Sequence, residues 1–209
     1  MPNQDKPARR RCGRCQRPLS HCLCAYIPAL KNRSRVLILQ HPDEARHPLN
    51  TARLAALGLR HADLLVGERF LQLEELIGSV DQAWLLFPAT KVGDSVPLGR
   101  NSAVGSTLLI VPDGTWRKAR RIVSLNPALH ALPRISLPPG EPSAYRVRKA
   151  LEPAAVSTVE AIVRTLEILE PETDFRPLLR PFNVLVEQQI AAMGADVYRR
   201  NHAGRCGGA

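Results

Sequence analysis

The stretch TLLIVPDGTWRKARRIVSL, residues 107–125, decides the fold. Thr107–Val111 is an almost continuous apolar run, the pattern of a strand buried on both faces, where no alternate position has to meet water. Pro112, Asp113 and Gly114 supply turn residues at once. A basic helix near Trp116–Leu125 follows, carrying Arg117, Lys118, Arg120 and Arg121. A buried strand that passes through a tight turn into a helix is the repeating unit of a parallel α/β sheet.

The same unit recurs on either side. Arg35–His41 (RVLILQH), Ala62–Val66, Ala83–Pro88 and Pro133–Leu137 read as further strands. Between them, a helix opens after Pro48 with Asn50 as N-cap and closes at Gly58 as C-cap glycine, and a short helix covers Leu71–Ile77. Farther on, Ser157–Glu170 is a helix with an S-x-x-E capping box (Ser157, Glu160). Val159, Ile162, Val163, Leu166 and Leu169 form its apolar stripe, and Pro171 stops it. A last helix is expected over about Asn183–Arg199. The predicted fold is α/β, a mostly parallel sheet with helices on both faces. Such sheets bind ligands beyond the carboxyl ends of their strands. That directs attention to the loops Pro88–Gly105, Pro112–Trp116 and Pro138–Val156. No G-x-G-x-x-G and no Walker A pattern is present, so classical dinucleotide or nucleoside triphosphate binding has no support.

Composition sets the outer bounds. The 209 residues suffice for one ordinary domain and a short appendage. Lys and Arg total 29 against 19 Asp and Glu, a formal charge of +10. That balance favours polyanionic partners, because each neutralised phosphate releases counterions. Charge alone does not separate RNA from DNA or an anionic membrane. No apolar run reaches the roughly 20 residues of a membrane span, and no apolar segment follows the basic residues Lys6, Arg9, Arg10 and Arg11 as in a secretory signal. A cytoplasmic location is the expectation.

Four of the five cysteines lie in Cys12, Cys15, Cys22 and Cys24, a C-x2-C-x6-C-x-C cluster. Under reducing conditions such a cluster points to a metal rather than to disulfides. Four thiolates make a closed tetrahedral zinc site of structural type, with iron as the competing occupant. Arg11, Arg14 and Arg17 are expected to favour the thiolates, and Arg14 to touch RNA. Three segments are expected: residues 1–30, a basic arm with a zinc-binding element; 31–200, the α/β domain; and 201–209, a disordered tail containing Cys206.

Asp113-Gly114-Thr115-Trp116 admits two readings. Asp113 is a good N-cap, Gly114 a turn residue and Trp116 a core side chain. Alternatively, at the carboxyl end of a central strand, a carboxylate, a hydroxyl and an indole serve as base or orienting group, hydrogen-bonding partner and stacking plate. Arg117, Lys118, Arg120 and Arg121, next to this turn, are candidates for RNA-backbone contacts, as is Arg53. His41, ending the first strand, is a candidate to line the site. Ser157, Thr158 and Glu160 are either a plain capping box or an anion contact at a helix start.

DGTW at 113–116 resembles the D-x-T-W signature of the DTW-domain family, tRNA-uridine aminocarboxypropyltransferases. The resemblance continues in the cysteine cluster with Pro18, in His41-Pro42-Asp43-Glu44, and in Asn50-Thr51-Ala52-Arg53-Leu54. It extends to Tyr145 with Arg148, and to Ser157-Thr158-Val159-Glu160-Ala161. Val159 stands where the late motif often has Leu. The resemblance implies a SPOUT-like domain with a C-terminal knot. It implies transfer of the 3-amino-3-carboxypropyl group from S-adenosylmethionine to N3 of a tRNA uridine, giving acp3U and methylthioadenosine. The partner would be tRNA, not DNA or a membrane. Asp113, Thr115 and Trp116 would be catalytic. Phe87, Pro88, Asp113, Leu137, Arg148, Ser157, Thr158 and Glu160 would hold S-adenosylmethionine. Three rival readings remain, a SPOUT-type RNA methyltransferase, a non-catalytic zinc-knuckle RNA-binding protein, and a generic α/β domain whose basic charge serves only solubility.

Overall fold

The computed structural model describes residues 10–88, 105–137, 143, 156–194 and 197. The expectations for the basic arm before residue 10, for most of the two loops 88–105 and 138–156 including Tyr145 and Arg148, and for the tail with Cys206 lie outside the described residues.

Five strands form one sheet: β1 (Arg35–Gln40), β2 (Ala62–Val66), β3 (Gln82–Leu86), β4 (Thr107–Asp113) and β5 (Arg134–Ile135). Their order is β2-β1-β4-β3-β5, and every neighbouring pair is parallel. The predicted parallel sheet is therefore present, with β4 at its centre. β4 runs two residues past the expected end, so that Asp113 closes the strand. β5 is only two residues long, since Pro133 precedes it with no N–H for the ladder.

The helices are α1 (Pro42–Ala45), α2 (Ala52–Gly58), α3 (Leu73–Gly78), α4 (Trp116–Leu125), α5 (Thr158–Leu169) and α6 (Arg180–Met193). Alternation along each strand sorts the core into two layers. Val36, Ile38, Leu109 and Val111 point toward α2, α5 and α6, packing with Val159, Ile162, Leu166, Phe175 and Phe182. Leu37, Leu39, Leu108 and Ile110 point the other way, toward Leu73 of α3 and Ala119, Ile122 and Val123 of α4. Both faces are thus covered, which is why the strands read as unbroken apolar runs.

Three local expectations are corrected. The N-cap of α2 is Thr51, not Asn50, and Thr51 makes no side-chain capping bond. Asn50 Oδ1 nevertheless accepts the Arg53 N–H at 3.1 Å. Gly58 is the last helical residue and the C-cap is Leu59, in extended conformation. Glycine is needed there because a Cβ would collide with Leu178 and touch Pro28. α6 starts three residues before Asn183, with Pro181 in its first turn, where a missing N–H costs nothing.

One long-range tie was not anticipated. Buried Glu170, just past α5, accepts the backbone N–H groups of Arg33 (2.9 Å) and Ser34 (2.8 Å), fixing the entry to β1.

Candidate functional site

The parallel register places Gln40 directly opposite Asp113 at the carboxyl ends of β1 and β4. Residues on this face of the sheet point toward α5. Asp113 is buried, with 8% of its surface exposed. Its Oδ2 accepts Gln40 Nε2 at 2.8 Å, and its Oδ1 accepts a short hydrogen bond from the Thr158 hydroxyl. Gln40 Oε1 in turn accepts Asn50 Nδ2 at 3.3 Å, and Asn50 Nδ2 also reaches the Glu44 carbonyl at 3.2 Å. Residues from β1, the α1–α2 connection, β4 and α5 therefore converge on one carboxylate. The N-cap reading of Asp113 is corrected. Thr115 caps α4, its Oγ1 accepting the Lys118 N–H at 3.4 Å.

Gly114 lets the chain turn between strand and helix. Its φ is +156°, and an added Cβ would lie 2.9 Å from Lys118 Cβ. The turn delivers Trp116 to the surface with 45% of it exposed, so the indole is not a core residue. Its ring meets Phe87, just beyond β3, edge-on at 6.0 Å between centroids. The Arg134 guanidinium sits 5.8 Å from the Phe87 ring centre. Pro88 is exposed, and Leu137 is half-buried.

The four cations of α4 divide into two kinds. Lys118 pairs with Glu44 (2.8 Å) and Asp43 (3.3 Å), which raises its pKa. Arg121 pairs with Glu68 at 2.9 Å, and His41 Nε2 shares the same carboxylate oxygen at 2.8 Å. Arg121 and then His41 hold the Glu68 carboxyl below its ordinary range. His41 Nδ1 accepts the Asp43 N–H at 3.3 Å, so its ring is fixed from both sides. Arg117 and Arg120 are exposed. Arg53 is half-buried, and its Nε, shielded from solvent, has no hydrogen-bond partner among the described residues.

At the start of α5 the capping box forms fully. Glu160 Oε2 accepts the Ser157 N–H, the Ser157 hydroxyl and the Ser143 hydroxyl, each at 2.7 Å. The capping box thereby fixes the segment that presents Thr158 to Asp113.

The cysteine cluster is preassembled. Cys12 and Cys24 sulfurs are 3.6 Å apart, Cys15 and Cys22 sulfurs 3.7 Å, and all four lie within 4.8 Å of one another. A disulfide needs about 2.05 Å, whereas bonds of about 2.3 Å to a tetrahedral metal put the sulfurs about 3.8 Å apart. The donor set and spacing thus fit a metal ion. Gln16, at φ 61°, makes the tight return of the first C-x2-C loop. Backbone N–H groups of Cys15 and Arg14 lower the Cys12 thiol to about 6, while burial and the neighbouring sulfurs push Cys24 up to about 12. Four thiols this close ionise together only around a cation. The expected help from Arg11 and Arg17 is not what lowers Cys12. Arg11 binds the Gln16 carbonyl at 3.2 Å, and Arg17 binds the carbonyls of His21 (3.0 Å) and Pro48 (2.6 Å). Leu23, fully buried against Leu54 and Leu185, docks the element onto α2 and α6.

Gln40, Glu68 and Arg134 were missed by the reading of the sequence. Gln40 left a signal, a polar residue ending an otherwise apolar strand. Glu68 and Arg134 left none, since only the fold brings them to His41 and Phe87.

Comparisons with known proteins concern the chain as a whole. The DTW domain family matches residues 9–190. The chain is 34% identical over 199 residues to tRNA-uridine aminocarboxypropyltransferase 2 of Drosophila melanogaster, covering 89% of this chain and 78% of that one. It is 29% identical to the Mus musculus protein of the same name, covering 91% and 67%. It is 27% identical to tRNA-uridine aminocarboxypropyltransferase A of Arabidopsis thaliana, covering 81% and 76%. No solved structure matches.

Proposed function

This chain belongs to the DTW-domain family, and we propose that it modifies tRNA by forming acp3U, with S-adenosylmethionine as donor. The relatives' names support the reaction. The observation that carries its placement is the Asp113 carboxylate, gripped by Gln40 and Thr158 beside the exposed Trp116. A fixed anion and an aromatic ring suit a cationic sulfonium and a flat uracil.

S-adenosylmethionine supplies an electrophilic aminocarboxypropyl carbon bonded to the sulfonium. Uridine N3 attacks it in line; the N3–C bond forms, the C–S bond breaks, and the electron pair leaves with methylthioadenosine. The chain's own work is placement. Asp113 accepts the N3–H and takes the proton as the bond forms. Gln40 and Thr158, by donating to its two oxygens, fix where it points. Trp116 stacks the uracil, and Thr115 fixes the first turn of α4 beneath it. Phe87, Pro88, Leu137, Ser157, Thr158 and Glu160 border the donor's place, with Arg148 as partner for its carboxylate. Arg14, Arg53, Arg117 and Arg120 are the basic residues on the tRNA side, while Lys118 and Arg121, expected there too, are paired with Glu44, Asp43 and Glu68. Cys12, Cys15, Cys22 and Cys24 hold zinc, which supplies folding energy to an element with little core of its own. The domain division at residues 30 and 200, a knot and a cytoplasmic location belong to the same reading. No helix among the described residues is long and apolar enough to cross a membrane.

The test is nucleoside mass spectrometry of a tRNA transcript incubated with the protein and S-adenosylmethionine. An aminocarboxypropyl gain on uridine, lost with Asp113→Ala, supports the reading. A methyl gain moves the chain to the methyltransferases. Binding without any gain leaves an RNA-binding protein.

A further inference from the structure

Next to the Phe87 ring that meets Trp116 lies a cleft of about 240 Å³, lined by Phe87, Arg120, Val123, Ser124, His130 and Arg134. We propose that this cleft is a subsite for a phosphate of the RNA backbone next to the nucleotide being modified. The proposal rests on the tRNA-modifying reading above and gives it a place on the surface.

Trp116, Arg120 and Ser124 are spaced four apart on α4 and so share one stripe of the helix. That stripe starts at the exposed indole and leads into the cleft. Arg120 and Arg134 bring two guanidiniums to it, Ser124 a hydroxyl, and no carboxylate lines it among the described residues. The division of the α4 cations sharpens the point. Lys118 and Arg121 are consumed by Glu44, Asp43 and Glu68 on the other side of the helix, whereas exposed Arg120 faces the cleft. Arg134 is held in place by the Phe87 ring at 5.8 Å and by the Pro88 carbonyl at 3.2 Å, which leaves further N–H groups of its fork for a ligand.

The chemistry recognised is an oxyanion, and two sources are at hand, an RNA phosphate and the carboxylate of S-adenosylmethionine. Phosphate is the better match. S-adenosylmethionine also carries a sulfonium and an ammonium, which two unopposed guanidiniums repel. The cleft is also smaller than the roughly 300 Å³ at which pockets enclose a whole drug-sized ligand. It suits one unit of a longer chain whose neighbouring base stacks on Trp116.

The test measures binding of an unmodified tRNA transcript against salt concentration for the full chain, Arg120→Gln, Arg134→Gln and, as a control for lost charge, Arg60→Gln. Calorimetry of S-adenosylmethionine binding and thermal melts accompany each variant. Both cleft variants are expected to bind tRNA more weakly, with the slope of log affinity on log salt reduced by about one each. Arg60→Gln is expected to change the slope less, and S-adenosylmethionine binding to stay constant in Arg120→Gln. Because Arg120 is exposed, its replacement leaves the fold intact and keeps the test decisive. Unchanged tRNA affinity and slope in Arg120→Gln, while the parent chain binds and modifies tRNA, would overturn the subsite alone. Loss of S-adenosylmethionine binding in Arg120→Gln would assign the cleft to the donor's carboxylate and overturn it too. A parent chain that neither binds nor modifies tRNA would remove the functional reading along with it.

Discussion

Gln40 and Asp113 face each other across neighbouring parallel strands, and the amide of the first donates to the carboxylate of the second at 2.8 Å. The direction of the amide is not free. Its oxygen accepts Asn50 Nδ2 at 3.3 Å, which turns the NH2 group toward Asp113. Replacing Gln40 by Leu keeps the volume roughly constant but leaves Asp113 Oδ2 without this donor. Misplacement of a reacting group by an ångström can cost on the order of 100-fold, so Gln40→Leu is expected to slow single-turnover transfer by about that factor. Asp113→Asn should slow it at least as much. Rates equal to the parent's in Gln40→Leu would show that the carboxylate needs no such grip.

Gly114 sits where the strand becomes the helix that carries Trp116. With φ at +156° and Lys118 Cβ 2.9 Å from an added methyl, alanine fits neither the backbone nor the space. Strain of this kind costs about 1–3 kcal/mol. Gly114→Ala is therefore expected to lower stability by that amount in urea denaturation and to reduce turnover by displacing Trp116 and Thr115. A fully active, equally stable variant would mean that the turn relaxes without moving them.

The fold was legible because it rests on local signals. Apolar runs at Arg35–His41 and Thr107–Val111 announced buried strands, and Ser157 with Glu160 announced a capped helix whose capping box forms as read. The site was legible only in part. Asp113 and Trp116 stood out by position, but the role of Asp113 as a cap was a local inference that the longer reach of β4 overrode. Gln40 and Thr158 meet Asp113, and Asn50 meets Gln40, through strand register and helix placement, and a pairing between residues 73 or 45 positions apart leaves no local trace. Lys118 and Arg121 illustrate the same limit. Read along the helix they are free cations, but the fold lays Glu44 and Glu68 against them.

The cysteine element should behave as a part of the site's support. Arg17 bridges from it to the Pro48 carbonyl, two residues before Asn50, and Leu23 packs under Leu54. Metal analysis of the purified chain is expected to find a tightly held zinc ion that Cys15→Ser loses. Removing metal with a chelator should lower the melting temperature and expose the thiols to a colorimetric reagent. An unchanged melt after complete metal removal would show that the element folds without a cation.

The last prediction concerns the carboxylate that Arg121 and His41 share. Arg121 first, then His41, holds the Glu68 carboxyl below its ordinary value of 4.5. A carboxyl whose pKa is depressed by folding stabilises the fold above its unfolded value and loses that contribution as the pH falls through its folded value. The link between Glu68, His41 and α4 should therefore be intact at neutral pH and weaken only below the ordinary glutamate range. Arg121→Gln removes the larger cause, so the Glu68 titration should move upward and the weakening should begin at a higher pH. Carboxyl-detected NMR titration of the parent and the variant reads this directly. Identical midpoints in the two would mean that Arg121 does not hold the carboxylate in solution, and that it is a cation available to RNA after all.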